Sequence, residues 1–118
     1  MGVGVTGRDP AAVVRDHLEA FSAGELDRML ATMAPAAYFQ SGTTVVDPAE
    51  FADFFGWAIR EIAPRMQIDE LLVDGDRVAC QFVESVTIDG QRRHLNRAAF
   101  YRVADGLITW AKVYDERD

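Results

Sequence analysis

The chain has 118 residues, 49% hydrophobic and 26% charged, a composition suited to one globular domain rather than a disordered or fibrous chain. Lys and Arg number 12 against 19 Asp and Glu, a formal net charge of −7, which weighs against nucleic-acid or anionic-membrane partners that need clustered positive charge. A single cysteine, Cys80, excludes an internal disulfide and suits a reducing, cytoplasmic setting, and no apolar run approaches the roughly 20 residues that cross a bilayer.

Met1 to Arg8 carries small residues and glycines without a long apolar core, so residues 1–8 read as a flexible arm rather than a signal peptide, with the domain over residues 9–118. Asp9-Pro10 joins an N-cap acid to a proline suited to the first helical turn, and Val14, Leu18 and Phe21 recur at helical spacing up to Gly24. A second short helix presents Leu26, Leu30 and Met33 and closes at Pro35, and Tyr38 to Ser41 reads as a short strand. Asp47-Pro48-Ala49-Glu50 is the strongest local signal, close to a capping box. The helix behind it carries Phe51, Phe54, Phe55, Ala58, Ile59 and Ile62, and stops at Pro64.

From there the chain reads as four strands, Met66 to Val73, Arg77 to Ile88, Arg92 to Val103 and Leu107 to Glu116. The pairs Asp74-Gly75, Asp89-Gly90 and Asp105-Gly106 divide them, as two-residue hairpins favour. Helices first and strands last predict an α+β domain, with three helices packed on one face of a curved antiparallel sheet and enclosing a pocket.

Side chains alternate along a strand. On that period Cys80, Phe82, Val86 and Ile88 share a face with Glu84. Leu95, Ala99, Tyr101 and Val103 share one with Arg97, and Ile108, Trp110 and Tyr114 share one with Lys112. Two-residue loops set Phe82 opposite Arg97, Ala99 opposite Lys112, Tyr101 opposite Trp110 and Arg97 opposite Tyr114, so all three stripes fall on one side of the sheet. Each apolar stripe then carries one charge. A buried charge without a partner is costly, so these groups pair with each other or meet water or a ligand. His17 borders the apolar stripe of the first helix, where an imidazole suits acid–base work.

Three stretches of sequence have a familiar pattern: Val13-Val14-Arg15 through Ala23-Gly24-Glu25-Leu26-Asp27, the Asp47-Pro48 helix start, and Phe100 to Ile108 with Trp110 to Asp115. On these the chain resembles the nuclear transport factor 2-like (NTF2-like) superfamily, which includes ketosteroid isomerase, limonene epoxide hydrolase, scytalone dehydratase and the SnoaL-like polyketide cyclases. The resemblance implies the cone fold and dimerisation through the outer sheet face, where His94 and Asn96 fall. His17 takes the place of the oxyanion-hole tyrosine of ketosteroid isomerase, Ser41 or Gln40 that of its aspartate base, and Ala99 that of its protonated aspartate. Both acids are therefore missing. Glu84 matches one acid of the limonene epoxide hydrolase triad, Lys112 replaces the other, Phe82 stands at its arginine, and Arg97 offers a guanidinium from the next strand.

The expectation is a cofactor-independent enzyme, with no metal, acting by acid–base catalysis on a small, largely apolar organic ligand. Its reaction would be isomerisation, cyclisation, dehydration or epoxide opening. Glu84 would be the base, His17 the proton donor or oxyanion partner, and Arg97 with Lys112 the electrostatic support. Tyr38, Phe55, Trp57, Phe82, Val86, Ala99, Tyr101, Trp110 and Tyr114 would bind substrate. In the alternative, Glu84 and Arg97 form a structural ion pair, Lys112 reaches to the rim, His17 is a hydrogen-bonded core residue, and the domain is a non-catalytic binding or assembly module.

Overall fold

In the computed structural model, which describes residues 9–116, α1 (Pro10–Ser22) begins where the sequence places it. The Asp9 carboxylate accepts from the Ala11 N–H at 3.1 Å. The arm expected over residues 1–8 lies outside the described residues. After Gly24 the chain enters α2 (Leu26–Leu30), which Arg28 ties to α1 through Asp16 and Glu19. Met33 and Pro35, expected on or at the end of this second helix, belong instead to β1 (Met33–Ser41). Strand pairing explains the change: the Ile108 N–H donates to the Thr32 carbonyl at 2.8 Å, and Met33 already pairs with Ile108.

A short strand the sequence did not announce, β2 (Thr44–Val46), folds back on β1. Asp47 then caps a 3₁₀ turn over Pro48–Glu50, accepting from the Ala49 N–H at 3.0 Å, and α3 (Phe51–Glu61) follows. Strands β3 (Arg65–Asp74), β4 (Arg77–Ile88), β5 (Gln91–Ala104) and β6 (Leu107–Asp115) complete a six-stranded sheet in the order β2-β1-β6-β5-β4-β3. Neighbours are antiparallel except β1 and β6, which run parallel. The sheet is curved and unclosed, and its core side buries Phe39, Cys80, Phe82, Tyr101 and Ile108 with Val14, Leu18 and Phe21 of α1 and Phe51 and Phe55 of α3. Among the described residues no helix is long and apolar enough to cross a membrane.

Asp89 and Gly90, like Asp105 and Gly106, both have positive φ, as type I′ hairpin turns require. The β3–β4 turn falls on Gly75-Asp76, one residue later than expected, because Asp74 pairs with Arg77. The β4–β5 register follows the sequence reading, with Phe82 opposite Arg97. The β5–β6 register starts as expected, with Ala104 opposite Leu107 and Val103 opposite Ile108, and then slips by one residue: Arg102 pairs with Trp110. Thr109 is the extra residue of this β-bulge, and its hydroxyl reaches the Arg102 carbonyl at 3.4 Å.

The slip turns the rest of β6 over. Ala111, Val113 and Asp115 face the helices, and Trp110, Lys112 and Tyr114, expected in the pocket wall, face outward. On the outer face Trp110 stacks on Tyr38 with ring centroids 5.9 Å apart, and Lys112 Nζ lies 5.0 Å from the centre of the Tyr114 ring.

α3 ends on Ala63 at φ +43, a left-handed position that glycine usually fills, and Pro64 follows. Replacing Ala63 with Gly removes the Cβ strain at the cost of some unfolded-state entropy. The variant is expected to gain about 0.5–1 kcal/mol in urea unfolding; a loss of stability would contradict this account of the helix end.

Candidate functional site

A cavity of about 150 Å³ lies between α1, α3 and the inner face of the sheet. Its walls are mainly apolar, with Phe21 from α1, Phe54 and Phe55 from α3, Phe39 from β1, Met66 from β3 and Phe82 from β4. Phe39 and Phe55 meet edge to face at 5.0 Å, which fixes the α3 side against β1. Trp57 borders the cavity and is 52% exposed, so it stands at the mouth. Five polar residues reach this space: His17, Ser41, Glu84, Arg97 and Tyr101.

Strand register brings the charges together. Arg97 on β5 lies opposite Phe82 of β4 and, across the slipped pairing, opposite Asp115 of β6. Its Nε is 2.8 Å from Glu84 Oε1 and its Nη1 is 2.5 Å from Asp115 Oδ1. The side chains of Glu84, Arg97 and Asp115 are 9%, 15% and 23% exposed, so this is an interior cluster and not a surface pair. One guanidinium serves two carboxylates, and the cluster keeps one net negative charge when all three are ionised. Burial pushes the Glu84 carboxyl above its ordinary pKa; Arg97 opposes that shift and Asp115 adds to it.

His17 has a different environment. Its Nδ1 lies 2.8 Å from Thr32 Oγ1, and the Thr32 hydroxyl donates to the Met29 carbonyl at 2.6 Å. With its own proton committed to Met29, Thr32 accepts from Nδ1–H, and this assigns the tautomer. Nε2 therefore carries the lone pair. Burial lowers the imidazole pKa from 6.5 to about 4, against the Met29 carbonyl and Asp16, so the ring is neutral at pH 7. The role expected for His17, proton donor or oxyanion partner, does not fit this tautomer: at neutral pH its free nitrogen accepts. Tyr101 packs edge-on to His17 with centroids 6.1 Å apart, and burial holds its phenol well above the ordinary tyrosine pKa, so it stays a donor.

Of the expected site residues, His17, Glu84, Arg97, Phe55, Trp57, Phe82 and Tyr101 all border the cavity. Val86 and Ala99 are buried on the same side of the sheet but lie outside its walls. Lys112, Trp110, Tyr114 and Tyr38 are on the outer face; Tyr38 donates to Gln40 there at 2.5 Å. Ser41, which the resemblance sets at the place of an aspartate base, borders the cavity, and Asp115, absent from the expected site, meets it through Arg97. Ser41 sits on the inner side of β1, two residues beyond Phe39, and strand alternation could have revealed it. Asp115 required knowledge of the bulge.

A sequence profile described as a SnoaL-like domain matches residues 14–111. A comparison with curated protein sequences gave no match. Among solved structures, an LEH-like epoxide hydrolase of M. tuberculosis aligns with a TM-score of 0.83 at 17% identity, covering 91% of this chain and 82% of that one. IdmH of Streptomyces antibioticus, a candidate polyketide cyclase, aligns with a TM-score of 0.80 at 18% identity over 92% and 93% of the two chains. A candidate polyketide cyclase of Xanthomonas campestris is 26% identical, with a TM-score of 0.74 over 89% of this chain and 88% of that one.

The two buried groups respond to pH in opposite directions. His17 binds its proton less readily folded than unfolded, so its contribution is lost as pH falls from 6.5 towards 4, by roughly 3 kcal/mol when complete. Glu84 binds its proton more readily folded, so its contribution is present below 4.5 and is lost as pH rises through its raised value. Urea unfolding across pH 4–8 should therefore show His17→Phe gaining on the natural chain at the acid end. Glu84→Gln should gain on it as pH rises. Parallel pH profiles for a variant and the natural chain would count against the corresponding environment.

Proposed function

We propose, from the premise that the chain belongs to the SnoaL-like domain family and has the cone fold of the NTF2-like superfamily, that its cavity is a cofactor-independent acid–base active site for a small, largely apolar metabolite. The observation that carries the proposal is Glu84: a carboxyl on the wall of an apolar cavity, 2.8 Å from a guanidinium and held above its ordinary pKa. A carboxyl of raised proton affinity is a stronger base than an ordinary carboxylate. Arg97 orients it and offers positive charge to an oxygen that gains electrons in the reaction. Asp115 acts through Arg97, which it anchors from β6. This arrangement supports two related reactions: abstraction of a proton beside a carbonyl, and activation of water for epoxide opening.

The test uses two small probes. Cyclohexanone in D₂O reports proton abstraction through deuterium uptake, and cyclohexene oxide reports ring opening to the diol. The natural protein should accelerate at least one, and Glu84→Gln should lower that rate by about 10²-fold or more while keeping the fold. An undiminished rate in the variant would remove Glu84 from the chemistry. Turnover of neither probe would favour the second reading, a non-catalytic binding module. That reading draws on the short Glu84–Arg97 contact and on Ser41 and Ala99 standing where ketosteroid isomerase has acids.

We further propose that the protein is a homodimer through the outer face of its sheet. That face carries Tyr38, Val45, Leu72, Phe100 and Tyr114, each between 38% and 61% exposed, which together span the sheet. Its β3 edge presents Glu70 and Asp74, and its centre presents Arg102 and Lys112, so a twofold-related copy meets complementary charge. Light scattering should give a dimer mass for the natural chain and a monomer mass for Phe100→Asp. A natural chain that is monomeric at high micromolar concentration would overturn this.

A further inference from the structure

We propose that His17 and Tyr101 form a hydroxyl-binding subsite in the cavity, and that the ligand is a single-ring compound carrying an alcohol or phenol there. The inference rests on the cavity being a ligand site, as proposed above, but not on the chemistry assigned to Glu84.

The hydrogen-bonding sense of each group is fixed. His17 commits Nδ1–H to Thr32, whose own proton goes to Met29, so Nε2 can only accept. Tyr101 keeps its phenolic proton and can donate. The two residues are 3% and 2% exposed and both border the cavity, and their rings meet edge to face. Among the described residues neither His17 Nε2 nor Tyr101 Oη has a hydrogen-bond partner. Neither atom is among the fully buried polar atoms left without a partner, so both open onto the cavity, and a ligand placed against the two rings fits best if it supplies both a donor and an acceptor.

One hydroxyl does so: it donates to Nε2 and accepts from Tyr101. A carbonyl oxygen accepts from Tyr101 but leaves Nε2 unpaired, and an ammonium satisfies Nε2 but not Tyr101. The volume of about 150 Å³ sets the size, since apolar cavities of that order hold one benzene-sized ring.

The test compares cyclohexanol with cyclohexanone, two probes of similar shape that differ in having or lacking a donor. Binding is followed by NMR titration. The natural protein should bind cyclohexanol about tenfold more tightly. His17→Phe should bring the ratio of the two affinities close to one, and Tyr101→Phe should weaken both. The His17 Nε2 nitrogen resonance, read in the natural protein, should move with cyclohexanol and not with cyclohexanone; this readout stands even where a variant fails to fold. Equal affinity for the two probes, or a His17 resonance indifferent to the alcohol, would overturn the subsite and leave the cavity reading intact. If neither probe perturbs cavity resonances, the cavity is not a ligand site and both proposals fall.

Discussion

The interior depends on one inserted residue. Thr109 adds a position to β6 that β5 does not match, and every side chain beyond it changes sides. Without the bulge, Trp110, Lys112 and Tyr114 would lie under the helices, and two aromatic rings would occupy the volume that is now a cavity. With it, Ala111 and Val113 take those places, and their small side chains leave room. The same slip sets Asp115 opposite Arg97 and gives the guanidinium its second carboxylate. It also gives the outer face its aromatic surface. Cavity, charge cluster and exterior therefore share one cause. The Thr109 hydroxyl, reaching the Arg102 carbonyl, helps hold the irregular pairing.

The charge cluster and the histidine solve the cost of burial differently. Glu84, Arg97 and Asp115 stay together because each carboxylate has the guanidinium within reach. His17 has no counter-ion among its hydrogen-bond partners and remains neutral, with one nitrogen satisfied by a hydroxyl relay to a backbone carbonyl. The cavity thus presents both ionic groups, Glu84 and Arg97, and neutral polar ones, His17 and Tyr101.

Much of this was legible in the sequence. Asp9-Pro10 and Asp47-Pro48 marked helix starts because their side chains do local work that needs no tertiary context. Asp89-Gly90 fixed the β4–β5 register for the same reason, and with it the meeting of Glu84 and Arg97. The failure came where local chemistry was silent. Asp105-Gly106 set the first pairs of the last hairpin correctly, but nothing in Ile108-Thr109-Trp110 announces a bulge. Both faces of β6 carry apolar residues, so alternation could not choose between Trp110 with Tyr114 and Ala111 with Val113. The tautomer of His17 was also out of reach, since it depends on Thr32 and Met29 across the α1–α2 turn.

The parallel pairing of β1 with β6 has a consequence for how the chain folds. β6 follows every other strand in the sequence, yet it lies inside the sheet, between β1 and β5. Until it inserts, β1 and β2 form an isolated hairpin and the β3–β5 meander ends in an open edge. An isolated hairpin is marginal in water, and an open edge invites pairing with other chains. The closing contact joins Met33 to Ile108, a long loop whose entropy must be overcome before it is rewarded. Docking of β6 covers the open edge of β5 and joins the β1–β2 hairpin to the sheet, leaving β2 and β3 as its only edges among the described residues. Crowding and chaperone supply should matter most in the interval before it.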